Sequence, residues 1–390
     1  MTVCGVLNRK KNVYNLSAFT LIVDGKGETK VMELNRKLIL ADGSEYLGTG
    51  FGGNKTAVCE IVFNTSMAGY QEIVSDPSYT DQAIVMSYPL IGNYGVADED
   101  FESRMISPSA FIVRDINDNP SNFRSAKTLP DLLEENGIPG ICGVDTRKLV
   151  RSIRDKGSGR CIIAGADMSV EEGLKIIEET PIPHDAVKRC SCTKKWYSRT
   201  SNPLFNVVAI DCGMKSNIVR MLNRSRCNVT IVPFDTDREE ILSLHPDGVF
   251  ISNGPGDPCD VPEVIETLKN LRGKIPMFGI CLGHQLLSLS YGAKTYKLKF
   301  GHRGGNHPVR DVRTGKIEIT SQNHSYAVDE DSLEGTDLKV SHINVLDNTV
   351  EGIYSDEDKV FSVQYHPESA PGPQDSGYLF SRFTDLMKRG

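Results

Sequence analysis

The sequence predicts an α/β protein: a C-terminal domain with a doubly wound, mostly parallel sheet, preceded by a mixed α+β N-terminal domain. Three observations predict it. From residue 205 onward, short apolar runs alternate strictly with helix-patterned segments. Those runs (VVAI, TIVPF, GVFI, PMFGI) are apolar almost throughout, as strands of a parallel sheet covered on both faces are. Between them and the first half lies KRCSCTKKWYSRTSNP at 188–203, which is polar, basic and without apolar period. A chain of 390 residues has room for two domains at about 150 residues each.

In the first half, residues 38–40 and 46–48 flank Asp42-Gly43, a hairpin signal. Segments 57–63, 82–87, 110–113 and 161–164 read as short strands. Segments 129–136, 147–155 and 170–179 read as helices, the last with Asp167 and Ser169 as candidate caps. A linker is expected at 190–204. Beyond it the order is strand 206–211, helix 215–224, strand 229–234, and helix 237–244 with Asp235 as candidate cap. Strand 248–252, helix 262–271, strand 275–280, helix 282–291 and a late strand at 360–365 follow. In such a sheet the site lies at the carboxyl ends of the strands.

Composition removes several classes of function. The 44 basic and 51 acidic residues give a net charge of −7 with no basic block, so no nucleic-acid partner is expected. The most membrane-like stretch, 275–293, is uncharged but carries Pro276, His284, Gln285 and three glycines, which are costly in lipid; no membrane partner is expected. Ten cysteines and no secretory h-region point to a reducing cytoplasm with free thiols. Cys190 and Cys192 with His184 suggest a metal site, but one residue between thiols is too tight for a zinc knuckle, and none is expected. Gly48-x-Gly50-x-x-Gly53 has dinucleotide spacing but runs into a strand instead of a helix, so it is a turn. No phosphate-binding loop of the G-x-x-x-x-G-K-[ST] type occurs, so this chain has no visible ATP engine.

Chemistry concentrates in GICLGHQ at 279–285. An apolar strand ends in Cys281 and a helix starts at once. Gly279 and Gly283 match the G-x-nucleophile-x-G elbow, which needs small neighbours around a sharp turn. The helix N-terminus favours a thiolate, and the N–H of Leu282 is free to face an oxyanion. Among eight histidines, His366 in His366-Pro367-Glu368 is the best base. Residues i and i+2 of an extended segment share a side, so Glu368 fixes the imidazole while His366 accepts the thiol proton. His284, inside the elbow helix, is expected to pack beside it.

GICLGHQ, QYHPES at 364–369 and SNGPGDP at 252–258 together resemble the class I, triad-type glutamine amidotransferases. VFNTSMAGYQEIVSDPSY (62–79), SYPLIGNYG (87–95), GVDTR (143–147), KFGHRGGNHPV (299–309) and SQNHSYAVD (321–329) narrow the resemblance to the small, glutamine-hydrolysing subunits of carbamoyl-phosphate synthases. The resemblance implies Cys281 as the nucleophile of a γ-glutamyl thioester, His366 as base and then acid, and Glu368 as its orienter. It implies an oxyanion hole from the amides of Gly254 and Leu282. It places Ser66, Gly254, Gly256, Leu282, Gln285, Asn323, Ser325 and Tyr326 around glutamine; Ser325 departs from the glycine of bacterial examples. Lys215 is marked near the site without a role.

The resemblance further implies that the chain holds no cofactor itself, since ATP, magnesium and bicarbonate belong to a large subunit that receives the ammonia. It implies a role in arginine biosynthesis, pyrimidine biosynthesis or both, a docking N-terminal domain at 32–189 and an amidotransferase domain at 205–390. Residues 1–31 fall outside it, either as an extension of unknown role or as a stretch before a start at Met32. From the residues alone two alternatives stay open. A free-standing thiol hydrolase of γ-glutamyl compounds shares the elbow but does not need the first domain. A scaffold subunit does not need all three triad positions.

Overall fold

The computed structural model describes residues 19–23 and 29–388. Most of the expected extension at 1–31 lies outside the described residues. Strands β1 (Phe19–Val23) and β2 (Thr29–Glu33) pair antiparallel, and β2 runs across the boundary expected at residue 32.

The first region then builds β3 (Arg36–Leu40), β4 (Glu45–Gly52), β5 (Ala57–Asn64), α1 (Tyr70–Val74), β6 (Gln82–Met86), β7 (Leu90–Ile91), β8 (Ala110–Ile112) and β9 (Asp115–Ile116). After these come α2 (Leu129–Glu135), β10 (Pro139–Cys142), α3 (Thr146–Lys156), β11 (Gly159–Gly165), α4 (Val170–Glu179) and α5 (Ala186–Cys190). The mixed α+β expectation resolves into something more specific, a closed barrel in the order β10-β4-β3-β11-β5-β6-β8. Its inner strands β5, β6, β8 and β11 carry apolar side chains toward both faces because both are covered. Leu38, Leu40, Cys59, Ile61, Val85, Ile112, Ile141 and Ile163 fill one cluster. Their neighbours Ile39 and Ile162 pack with Ile177 of α4, while Val62, Ile84 and Phe111 pack with α1 and α2. β10, whose sequence PGIC hides it, closes the ring by pairing antiparallel with β4 and parallel with β8. Asp42-Gly43 makes the expected β3–β4 turn, and Ser169 caps α4 through the Glu172 N–H.

The segment expected as a linker at 190–204 does more than connect. Cys190 and Cys192 are buried, and β12 (Trp196–Ser198) pairs antiparallel with a strand of the second region. There the alternation holds through β13 (Phe205–Asp211), α6 (Ser216–Arg224), β14 (Cys227–Pro233), α7 (Arg238–Ser243), β15 (Gly248–Ile251), α8 (Pro262–Leu271), β16 (Met277–Ile280) and α9 (Leu282–Ser290). It then gives way to four strands in succession, β17 (Thr295–Asp311), β18 (Ile317–Val328), β19 (Lys339–Asn344) and β20 (Val350–Ser355), before β21 (Val360–Val363) and α10 (Tyr378–Met387). The cap of α7 is Asp237, two residues after the expected Asp235, because its carboxylate reaches the Glu240 N–H.

These strands form one sheet in the order β12-β14-β13-β15-β16-β21-β20-β18-β17-β19. Only its centre, β14-β13-β15-β16-β21, is parallel; the flanks are antiparallel, so the sheet is less parallel than its apolar runs suggest. Successive residues of the central strands point into opposite cores. Val207, Ala209, Phe250 and Phe278 pack against α6 and α10, while Val208, Ile210, Val249 and Met277 pack against α8 and α9. The β17–β18 hairpin leans back on the barrel: Phe300 stacks on Phe63, and Thr65 donates to the Arg303 carbonyl at 3.1 Å. A cavity opens along this seam. Among the described residues, no helix is long and apolar enough to cross a membrane.

Candidate active site

Cys281 sits between β16 and α9 at φ 53° and ψ −105°, a backbone conformation that L residues rarely take. Two close approaches enforce it. A Cβ on Gly279 would lie 2.6 Å from the Gly283 carbonyl oxygen, and a Cβ on Gly283 would lie 2.3 Å from that of Ile251. Packing and hydrogen bonds hold the turn, with the Cys281 N–H donating to Val363 and its carbonyl accepting from His284 and Gln285. Leu282 opens α9, so its N–H has no acceptor within the helix.

His366 follows β21, its N–H donating to the Ser321 carbonyl at 2.8 Å. Its Nδ1 meets Glu368 Oε1 at 2.6 Å. Nε2 is buried without a conventional hydrogen bond and lies within electrostatic reach of the Cys281 sulfur. Burial works against an imidazolium here, but the Glu368 carboxylate and the Cys281 sulfur outweigh it and raise the His366 pKa. Burial likewise disfavours the Glu368 carboxylate, yet Lys215 and then His366 hold its pKa well below the ordinary range.

Lys215, which the sequence marked without a role, is the hidden support of this arrangement. It is buried, with Nζ 3.0 Å from Glu368 Oε1 and 2.7 Å from the Ser369 carbonyl. Burial opposes its charge, while Glu368, Asp76 and Glu102 raise its pKa. Glu102 also accepts from the Asn217 N–H and from Arg220, so a residue of the barrel region props the triad. His284 packs beside the elbow as expected, its Nδ1 2.9 Å from Ser362 Oγ; burial and then His342 lower its pKa to about 3.

In front of Cys281 lies a cavity of about 370 Å³. Gly254, Gly256, Cys281, Leu282, Gln285, Asn323, Ser325 and Tyr326 line it, whereas His366 and Glu368 stand behind the sulfur. Gly254 must be glycine, since a Cβ there would lie 2.2 Å from the Cys212 carbonyl oxygen. The SNGPGDP loop is pinned by Ser252, which accepts from the Cys212 N–H, and by Asn253, which donates to Ser78 at 3.0 Å. Gln285 donates to the Tyr326 carbonyl and to Gln364, and among the described residues its own carbonyl oxygen has no donor. Asn323 donates to Asp76 while its carbonyl lies 3.6 Å from Cys281 Sγ. Ser66, in the loop after β5, is not part of this lining; its N–H donates to Asn64 Oδ1 at the end of that strand.

The barrel side supplies wall residues that no motif announced, among them Glu60, Thr80 and Gln82, and the hairpin supplies Arg303. Arg303 lies inside KFGHRGGNHPV, but nothing in that segment distinguishes it from a solvent-facing arginine. The metal reading of Cys190, Cys192 and His184 finds no cluster: Cys190 Sγ meets Thr80 Oγ1 at 3.2 Å, and His184 pairs with Asp260 at the surface. Among the described residues, one set of side chains is close enough to hold a cation, His302, His324 and Glu351, brought from three strands. His302 lies between two carboxylates, 2.8 Å from Asp347 and 3.5 Å from Glu351. Burial lowers and these carboxylates raise its pKa, to about 9, so an imidazolium also suits the place.

Comparison with known proteins places the chain in a family. Residues 208–386 match the model for "Glutamine amidotransferase class-I", and residues 38–163 match that for "Carbamoyl-phosphate synthase small chain, CPSase domain". A carbamoyl phosphate synthase small chain from Staphylococcus epidermidis is 53% identical over 353 residues, covering 90% of this chain and 96% of the relative. The chain belongs to the carbamoyl phosphate synthase small chain family. Relatives of the same description from Listeria monocytogenes and Bacillus caldolyticus are each 50% identical, over 90% and 91% of this chain and 96% and 97% of their own. As a family member it is an enzyme chain with a class-I glutamine amidotransferase domain.

Proposed function

We propose that this chain hydrolyses L-glutamine and delivers the ammonia to a large, ATP-using subunit that makes carbamoyl phosphate from bicarbonate. The observation that carries this is Cys281, held on its strained elbow between the His366–Glu368 pair and a cavity of small-molecule size. His366 Nδ1–H donates to Glu368, which leaves Nε2 to take the thiol proton. The sulfur attacks the γ-amide carbon and forms a C–S bond, while the amide oxygen becomes an oxyanion facing the N–H groups of Leu282 and Gly254. Collapse breaks the C–N bond, and His366 returns its proton to the leaving nitrogen as ammonia. Water, deprotonated by the same imidazole, then attacks the thioester; glutamate leaves and the thiol is restored.

Ammonia made inside a walled cavity is shielded from bulk water, which supports transfer to a partner over free release. The absence of a phosphate loop from the sequence supports leaving the ATP chemistry to that partner, with the barrel as docking domain. We assign the product to arginine biosynthesis, pyrimidine biosynthesis or both. The nine cysteines among the described residues are free thiols, which supports a cytoplasmic location.

The test is a glutaminase assay on the chain alone and with its co-purifying partner. Cys281→Ser should remove glutamine hydrolysis, by roughly 10³-fold or more, while the assembled enzyme still uses added ammonium. Glutamine-dependent synthesis that persists in this variant rules out the assignment of the nucleophile.

A further inference from the structure

Four strands at one end of the second sheet close on themselves. β18 pairs with β17, β17 with β19 and β19 with β20, and β20 returns to β18 where Val350 meets Val328. Each strand sends a polar side chain to one place: His302 from β17, His324 from β18, Asn344 from β19 and Glu351 from β20. All four are more than nine-tenths buried. His302 and His324 are directly opposite in the ladder, with ring centroids 4.9 Å apart.

Acceptors outnumber donors there. His302 Nε2 donates to Asp347 at 2.8 Å, which leaves the Nδ1 lone pair facing Glu351 Oε1 at 3.5 Å, with no hydrogen-bond partner of its own. His324 has an oxygen at each nitrogen, the Tyr326 carbonyl 2.7 Å from Nδ1 and Gln322 Oε1 2.9 Å from Nε2. The Gln322 amide is fixed in that orientation, because its Nε2 donates to the Thr320 hydroxyl, whose own proton goes to the His307 carbonyl. A neutral imidazole carries one N–H, so one lone pair of His324 faces an oxygen in either tautomer. Glu351 Oε1 accepts from Asn344, and its Oε2 has no partner. Protonating both rings puts two cations at ring-contact distance, whereas one divalent ion satisfies the same lone pairs at a single point.

We propose that His302 Nδ1, His324 Nε2 and Glu351 bind one divalent transition-metal ion, zinc by the chemistry of the donors. Two imidazoles and a carboxylate are a common zinc set, and the three ligand atoms lie within 4.8 Å of one another. Zinc bonds of about 2.0–2.2 Å put tetrahedral ligands roughly 3.3–3.6 Å apart. The 3.5 Å from His302 to Glu351 already fits, and the 4.0 Å from His324 to Glu351 needs a small closure. The outer partners are in place. Asp347 on His302 Nε2 and the Tyr326 carbonyl on His324 Nδ1 are the bonds that fix the tautomer of a metal-binding histidine. The carboxylates of Glu351 and Asp347 balance the two charges of the ion, and Gln322 Oε1 stands beside His324 Nε2 as a fourth donor. The role is structural: the ion ties β17, β18 and β20 together at His324, between Asn323 and Ser325 of the cavity wall.

The experiment measures zinc and cobalt binding to the full chain carrying Cys281→Ser, so that the nucleophile cannot supply a thiolate site beside His366. After dialysis against a chelator, added zinc should bind at one ion per chain and raise Tm. Cobalt should give the visible bands of a tetrahedral nitrogen–oxygen site without a thiolate charge-transfer band. Asp347→Asn removes the carboxylate that orients His302 and should weaken binding by roughly 10- to 100-fold; Glu351→Gln, which removes a ligand and keeps its shape, should weaken it more. Failure of zinc to bind at one ion per chain or to raise Tm while all three ligands are intact overturns the proposal, and that measurement decides alone if the variants do not fold. Equal affinity in both variants places the ion elsewhere and also overturns it, as does a thiolate band in the cobalt spectrum.

Discussion

The two walls of the cavity are made by opposite means. The wall that carries Cys281 is local: five residues, 279–283, with glycines where a Cβ would strike a carbonyl oxygen. The facing wall is assembled from afar. Asn323 is held by Asp76 across 247 positions of sequence, and Arg303 is fixed between Phe300, Ser325 and the loop after β5. The first wall is determined by sterics, which penalise any added side chain and so leave a readable motif. The second is determined by charge and hydrogen bonding between distant segments. Any sequence that brings the partners together satisfies it, so no short pattern records it.

Behind the local wall the two kinds of construction meet, and there the largest effect is expected. Glu368 touches His366 but not the cavity, so Glu368→Gln keeps the shape and removes the charge that orients the ring. Turnover should fall by roughly 10²- to 10⁴-fold with little change in KM. Steady-state kinetics on glutamine checks this; an unchanged kcat breaks the triad assignment and, with it, the local half of the comparison.

Lys215 tests the long-range half of the same contact. Removing one partner of a buried ion pair leaves the other uncompensated, so Lys215→Met should cost about 3–5 kcal/mol in denaturant unfolding. The pH dependence has a definite sign. The pKa of Glu368 is lowered in the folded protein, so its contribution to stability is present above the ordinary value of 4.5 and is lost as pH falls through the native one. Without Lys215 the native pKa rises toward the unfolded value. Stability should then climb less steeply between about pH 2 and pH 4.5 in the variant than in the unaltered chain. Parallel slopes in the two proteins exclude Lys215 as the cause of the shift.

What was legible in the sequence follows the same division. Cys281, His366 and Glu368 were readable because an elbow and an i, i+2 pair are local geometry, and α4 and α8 fall at the expected residues through Ser169 and Pro262. The barrel was not readable. Its closure depends on β10, whose Pro139 and Gly140 look like a turn until β4 and β8 flank them. Nor were the antiparallel strands β17 to β20, whose polar residues pair across the site and the barrel seam instead of forming apolar runs. Arg303 and Lys215 fall in this class: burial decides their meaning, and burial of a cation is a property of the assembled fold.

The smallest expected effect separates steric from electrostatic control at the elbow itself. In Gly283→Ala the new Cβ meets the Ile251 carbonyl at 2.3 Å, and backbone cannot rotate away as a side chain can. α9 must shift relative to β15, which overpacking of this kind makes worth about 1–3 kcal/mol of stability. The displacement acts on Leu282 and Cys281 together, since both hang on the first turn of α9. Hydrolysis should therefore fall through kcat, with the KM for glutamine set by the facing wall unchanged. If KM rises as kcat falls, the walls are mechanically coupled and do not act independently.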